Sequence, residues 1–400
     1  MARHRRRGGS AARPVGGVAM LLVGLTLVAG CTGAGADPDP TWVPAPSLSA
    51  LPLPTPDTGG GGGSIQPPDP QNPSPSQPRS SGPAIDPNVV ATKLHSPVGI
   101  AVLPNGTALV GERATGRIVQ VQPVADKPVR AVRTLTGLDA PGGGGLLDLA
   151  LSATFAEDGL ILALVSTRTD VRLVHFTLTG PVTPILTGIP RGHTVGRGRL
   201  LVLDSGVTLI GTGDAGRPTL SVDPASLAGK VLRIDDLGRP ARDNPQPRSR
   251  VFTSGHRSVD GLCVDSAGRL FEVEAGTSGD ELNVLQPGTT YGGPSGTVGQ
   301  TLPAAVGGVS GCAVSGPAIY LTGRGGRDLF RAALDRAGRT GDLTPVFNHR
   351  YGRLATVVPA PDGSLWLTTT NRDGSGRPVA ADERVLHIQP PRGGGGNSPA

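Results

Sequence analysis

The chain has 400 residues, 37% hydrophobic and only 3% aromatic, with 37 Lys and Arg against 31 Asp and Glu. Five of those arginines (Arg3, Arg5, Arg6, Arg7 and Arg13) lie in an N-terminal stretch without an acid, which leaves 32 basic against 31 acidic residues beyond it. A near-neutral remainder removes the electrostatic footprint of a nucleic-acid binder, and the scarcity of aromatics calls for an aliphatic core.

Residues 1–30 read as a secretory signal. The arginines form its positive start, and Val18 to Val28 is an apolar run too short to span a bilayer as a stable helix. It ends in Val28-Ala29-Gly30-Cys31, a bacterial lipobox pattern. The expected product begins at Cys31 with acyl chains on its sulfur and amine, anchored at the extracytoplasmic face of the cell membrane. Residues 31–88, rich in Pro, Gly, Ser and Asp with a glycine run at 59–63, lack the apolar content to fold and read as a tether. The segment after Pro390 has the same character, so 391–400 reads as a disordered tail and 89–390 as the folded domain.

Within 89–390 an apolar strand, a turn and a second apolar strand recur six times, at 98–112, 146–166, 198–214, 260–274, 310–323 and 355–369. Asn105-Gly106 and Asp362-Gly363 are turn pairs of the hairpin type. One such hairpin cannot bury both of its faces. Six stacked around an axis can, which predicts an all-β, six-bladed β-propeller. A strand near Val89–Leu94 is expected to close the ring against Glu383–Gln389. Cys263 and Cys312 fall at equivalent places in neighbouring repeats and suit either a disulfide or two buried thiols.

The polar motifs cluster between His193 and Tyr291: RGHTVGRGRL, LIGTGDAGRP, VFTSGHRSVDGL and GDELNVLQPGTTYGG. With SPVGIAVLPNG and the Glu112-Arg113 pair upstream, their order resembles the glucose/sorbosone dehydrogenase family. The resemblance implies a propeller that uses pyrroloquinoline quinone (PQQ) and Ca²⁺ to oxidise a sugar's C1 hydroxyl to a lactone. It implies His193 as general base, Asp214 as the group that orients it, and Arg257 as a cofactor contact that supports developing negative charge. It also implies Arg353 as a cofactor contact, and the backbone carbonyls of Gly276 and Thr277 as cofactor and Ca²⁺ ligands. Each residue also has a plainer reading: His193 as a loop residue, Asp214 as a cap for loop amides, Arg257 as half of an ion pair.

The chain departs from the family pattern at polar positions. Gly143 stands for a Gln or Glu, Ser258 for an Asn, Gly293 for a Trp and Gly325 for a basic residue, while Ala355 and Thr356 replace an Arg-Asp pair. PQQ carries three carboxylates, and a buried charge without a partner costs several kcal/mol. The expectation is therefore a lipid-anchored, monomeric propeller that binds a carbohydrate or another envelope ligand without a redox cofactor. The alternative is a PQQ- and Ca²⁺-dependent aldose dehydrogenase, and a pure scaffold is a third possibility.

Overall fold

The computed structural model describes residues 85–193, 198–276, 279–292 and 299–390. Cys31, its flanking signal and tether to residue 84, Thr277, Gly293 and the tail 391–400 lie outside the described residues. The described chain forms six antiparallel four-stranded sheets arranged as blades around one axis.

β1 (Val89–Ala91) is held back for the last blade. Blade 1 is β2 (Pro97–Val102), β3 (Ala108–Glu112), β4 (Arg117–Val121) and β5 (Arg130–Thr134). Blade 2 is β6 (Leu146–Leu151), β7 (Ile161–Ser166), β8 (Val171–Phe176) and β9 (Thr183–Ile189). Blade 3 is β10 (Arg199–Val202), β11 (Thr208–Gly211), β12 (Lys230–Ile234) and β13 (Val251–Ser254). Blade 4 is β14 (Val259–Val264), β15 (Leu270–Ala275), β16 (Asp280–Val284) and β17 (Gln300–Thr301). Blade 5 is β18 (Val309–Ser315), β19 (Ala318–Gly323), β20 (Asp328–Ala333) and β21 (Thr344–Pro345). Blade 6 is β22 (Leu354–Pro359), β23 (Leu365–Thr369) and β24 (Val385–Ile388), with β1 as its outer strand. The six hairpins read from the sequence are the inner two strands of the six blades. The ring closes where Val89 pairs with Leu386 and Ala91 with Val385.

Burial explains why a ring forms. β2, β6, β10, β14, β18 and β22 pack side by side as a closed cycle around the axis. Six apolar clusters among the described residues each join two neighbouring blades: Val98, Leu109 and Ile118 with Leu146, Leu149 and Ile161, for example, or Ile100 and Val110 with Trp366 and Val385. Each fully buried Leu, Ile or Val in such a layer contributes roughly 1.5–3 kcal/mol. Close approach at the axis also requires small residues. A Cβ on Gly261 would lie 2.7 Å from the Cys312 amide nitrogen.

Cys263 and Cys312 form a disulfide with a Cα–Cα distance of 5.8 Å, joining the inner strands of blades 4 and 5. The pairing left open by the sequence is thus settled in favour of a bond. Both half-cystines line a largely apolar cavity of about 450 Å³ along the axis, which runs from Asp148 and Arg199 to Val102, Leu151, Val202 and Val358.

Candidate functional site at the strand-start rim

The antiparallel order fixes which segments meet at the opposite rim. Each inner strand begins there, so every blade-to-blade connection and every turn between a blade's second and third strands emerges on that side. His193, Arg257 and Arg353 lie in blade-to-blade connections, and Asp214 and Gly276 lie in second-to-third turns. The fold therefore gathers five of the predicted site residues at one end of the axis.

Beneath them Arg199 closes the axis. Its side chain is buried, and it donates from Nε to the Asp260 carbonyl at 2.7 Å and from Nη2 to the carbonyls of Ser310 at 2.7 Å and Ala355 at 3.3 Å. Asp148 lies alongside, its carboxylate accepting the Leu149 and Leu200 amides at 3.0 and 2.9 Å. Burial pushes the Asp148 carboxyl above the usual carboxylate range, against the attraction of Arg199 and the two amides. Sequence reading missed this pair, because it is formed by residues of two blades with no local motif.

Asp214 is buried, and its carboxylate accepts the Gly216 amide at 2.7 Å, the geometry of an Asx turn. Its own amide donates to the Arg257 carbonyl at 2.9 Å, so the two motifs touch through backbone. His193 is exposed, and no hydrogen bond joins its ring to Asp214 among the described residues. Arg257 is exposed as well. Its amide meets the Glu274 carboxylate at 3.2 and 3.3 Å, and among the described residues its guanidinium touches the Ala275 carbonyl alone, at 3.4 Å. Tyr291 is buried, stacking on His256 with ring centroids 5.1 Å apart.

Four other arginines of this rim carry partners. Arg353 grips Asp373 from Nη2 at 2.8 Å and Nε at 3.2 Å. Arg324 turns inward to Asp260 at 3.5 Å, and Arg191 pairs with Asp139. Arg113 donates to the Gly143 carbonyl at 2.8 Å. Arg113, Arg191 and Arg324, with the acids that face them, were not found as a set from sequence, since the partners lie in different blades.

Two departures from the family pattern have a steric cause. Gly143 adopts φ 82°, where a larger residue is strained. A Cβ on Gly325 would lie 2.5 Å from the Gly307 carbonyl oxygen, so no basic side chain fits there, and Arg324 supplies the inward cation of blade 5 instead.

A PQQ site has to match the cofactor's charge. The cofactor's three carboxylates need cations not already neutralised. Arg353, Arg324 and Arg191 each face an aspartate, and among the described residues the Arg257 guanidinium has a carbonyl contact alone. Three of the rim's arginines are thus already neutralised, which weighs against a buried tricarboxylate.

Comparison with known proteins places this site in context. The family described as Glucose / Sorbosone dehydrogenase matches residues 94–308. The PQQ-bound form of an aldose sugar dehydrogenase from Streptomyces coelicolor superposes with a TM-score of 0.71 and 34% identity, over 76% of this chain and 97% of that one. The protein slr1608 of Synechocystis is 32% identical over 250 residues, 54% of this chain and 60% of its own. Quinoprotein glucose dehydrogenase B of Acinetobacter calcoaceticus is 28% identical over 253 residues, 53% of this chain and 52% of its own. The chain thus spans little more than half the length of these two relatives.

Proposed function

The chain belongs to the glucose/sorbosone dehydrogenase family, and from that membership we propose that it is a lipid-anchored propeller whose strand-start rim binds a carbohydrate or another cell-envelope ligand without redox catalysis. The observation that carries this reading is a set of three neutralised arginines at the rim. Arg353–Asp373, Arg324–Asp260 and Arg191–Asp139 present donors and acceptors side by side. Such pairs suit neutral hydroxyl groups better than a trianion, because a sugar hydroxyl both gives and takes a hydrogen bond. The names of the relatives support a sugar as the ligand class. The anchor at Cys31 and the extracytoplasmic location rest on the lipobox and tether in the sequence.

A second reading is favoured by the exposed His193 and Arg257 and by the 34% identity to the PQQ-bound Streptomyces enzyme. There the chain is a PQQ- and Ca²⁺-dependent aldose dehydrogenase. His193 would take the proton of the sugar's C1 hydroxyl, Arg257 would bear on the cofactor, and the Gly276 and Thr277 carbonyls would face Ca²⁺.

The test uses the full chain in detergent. PQQ is titrated with Ca²⁺ present, followed by dye reduction with glucose or arabinose, and in parallel soluble envelope oligosaccharides are titrated without quinone. Oligosaccharide binding that Arg257→Ala abolishes, with no saturable PQQ binding, is the expected result. Saturable PQQ binding with sugar-dependent dye reduction overturns the first reading in favour of the second.

A further inference from the structure

Behind Arg257, three ionisable side chains converge in blade 4. His256 and Glu272 are fully buried and Glu274 is 9% exposed. His256 Nδ1 lies 3.4 Å from Glu274 Oε2 and 3.8 Å from Glu272 Oε2, and the three ligand atoms all fall within 4.8 Å of one another. His256 Nδ1 and Glu272 Oε1 are buried without any hydrogen-bond partner. Native structures leave few such atoms unpaired, and each one calls for an explanation.

Each of the three groups is held from behind. Thr253 Oγ1 sits 2.8 Å from His256 Nε2, Asn283 Nδ2 donates to Glu272 Oε2 at 2.8 Å, and the Arg257 amide donates to Glu274. In the tautomer that donates from Nε2 to Thr253, Nδ1 presents its lone pair toward two carboxylates. That arrangement is repulsive unless a cation or a shared proton lies between them. It is also how metal-bound histidines are commonly set, with the outer N–H fixed by a hydrogen-bond partner.

We propose that His256, Glu272 and Glu274 bind a divalent first-row transition-metal ion, with zinc as the best match. One imidazole nitrogen with two carboxylate oxygens suits zinc rather than calcium or magnesium, which take oxygen donors. A tetrahedral site with bonds near 2.1 Å places its ligand atoms about 3.4 Å apart, close to the separations already present. Two carboxylates also balance the ion's charge. The proposal does not depend on quinone binding. Its consequence is local: the metal would tie β15 to the connection that carries Arg257 to the rim.

The full chain, stripped with a chelator, is titrated with Zn²⁺ alone by calorimetry, and its metal content is read by mass spectrometry after gel filtration. One tightly held zinc per chain, with affinity weakened at least ~10-fold in Glu272→Gln, is the expected result. An absence of stoichiometric zinc in the wild type, or unchanged affinity in a folded Glu272→Gln, overturns the proposal. If the variant does not fold, Co²⁺ bound to the wild-type chain decides. Intense visible bands and a paramagnetically shifted imidazole signal assigned to His256 support the site, and a pale octahedral spectrum without that signal overturns it. All of these measurements are made without PQQ or sugar, so their failure is distinct from failure of the ligand-binding reading.

Discussion

Arg199 of blade 3 donates to the Ser310 carbonyl of blade 5 at 2.7 Å, across the axis of the ring. The same guanidinium reaches Asp260 of blade 4 and Ala355 of blade 6, so one side chain links four blades. Arg199→Met would strand the Asp148 carboxylate and three carbonyls in a dry setting. Removing one partner of a buried charge pair costs about 3–5 kcal/mol. Urea denaturation should show a loss of that order, and a loss below about 1 kcal/mol would mean that the axis is solvated.

Asp373 holds Arg353 through two nitrogen contacts at the rim. If neutralised arginines are what exclude a tricarboxylate, Asp373→Asn should release one of them. PQQ affinity in the presence of Ca²⁺ is expected to rise roughly 10-fold, or about 1.4 kcal/mol, by fluorescence titration. No change in Asp373→Asn would assign the exclusion to the missing side chains at Gly143, Ser258 and Ala355.

The Cys263–Cys312 bond closes a loop of 49 residues between two inner strands. Replacing both cysteines with alanine should lower stability by about 2–4 kcal/mol, read as a fall in melting temperature with the β-rich circular dichroism spectrum kept. A melting temperature equal to that of the wild type would show that the interface between blades 4 and 5 needs no covalent tie.

The pattern Asp-x-x-Gly-Arg occurs four times, and at Asp235, Asp265 and Asp335 it forms the same turn. In each, one carboxylate oxygen accepts the arginine's amide and the other accepts its Nε, at 2.7–2.9 Å. Burial works to raise the Asp235 and Asp265 pKa values, and the arginine's amide and guanidinium more than offset it. At Asp335 the Arg339 amide leads. All three are therefore lowered from 3.8. Depressed carboxylates contribute stability above the unfolded pKa and lose it as pH falls through the folded one. Stability should accordingly drop below about pH 4, and Asp265→Asn should flatten that drop. An equal acid slope in the variant would count against Asp265 as a contributor.

The inner hairpins were legible in the sequence because their apolar runs are bounded by turn pairs such as Asn105-Gly106 and Asp362-Gly363, and burial on both faces leaves little ambiguity. The outer strands were not. Arg130–Thr134, Gln300–Thr301 and Thr344–Pro345 face solvent, carry no apolar alternation and pair only along one edge. At the rim the motifs that carry His193, Asp214, Arg257 and Gly276 are local turns or connections, which a sequence shows directly. Their charge environment was hidden. Arg324 meets Asp260, and Arg353 meets Asp373, only because the ring brings separate blades together. Gly325 looked like a lost cation, but the Gly307 carbonyl occupies the space a side chain would need.

The pairing of Val89 with Leu386 also sets an order of assembly. Blade 6 takes its outer strand from the start of the folded chain and its other three from the end. During synthesis β1 must wait, unpaired, until the last strand has been made. The ring cannot close early around a foreign segment without displacing one of its own ends, and long-range closure of this kind is slow.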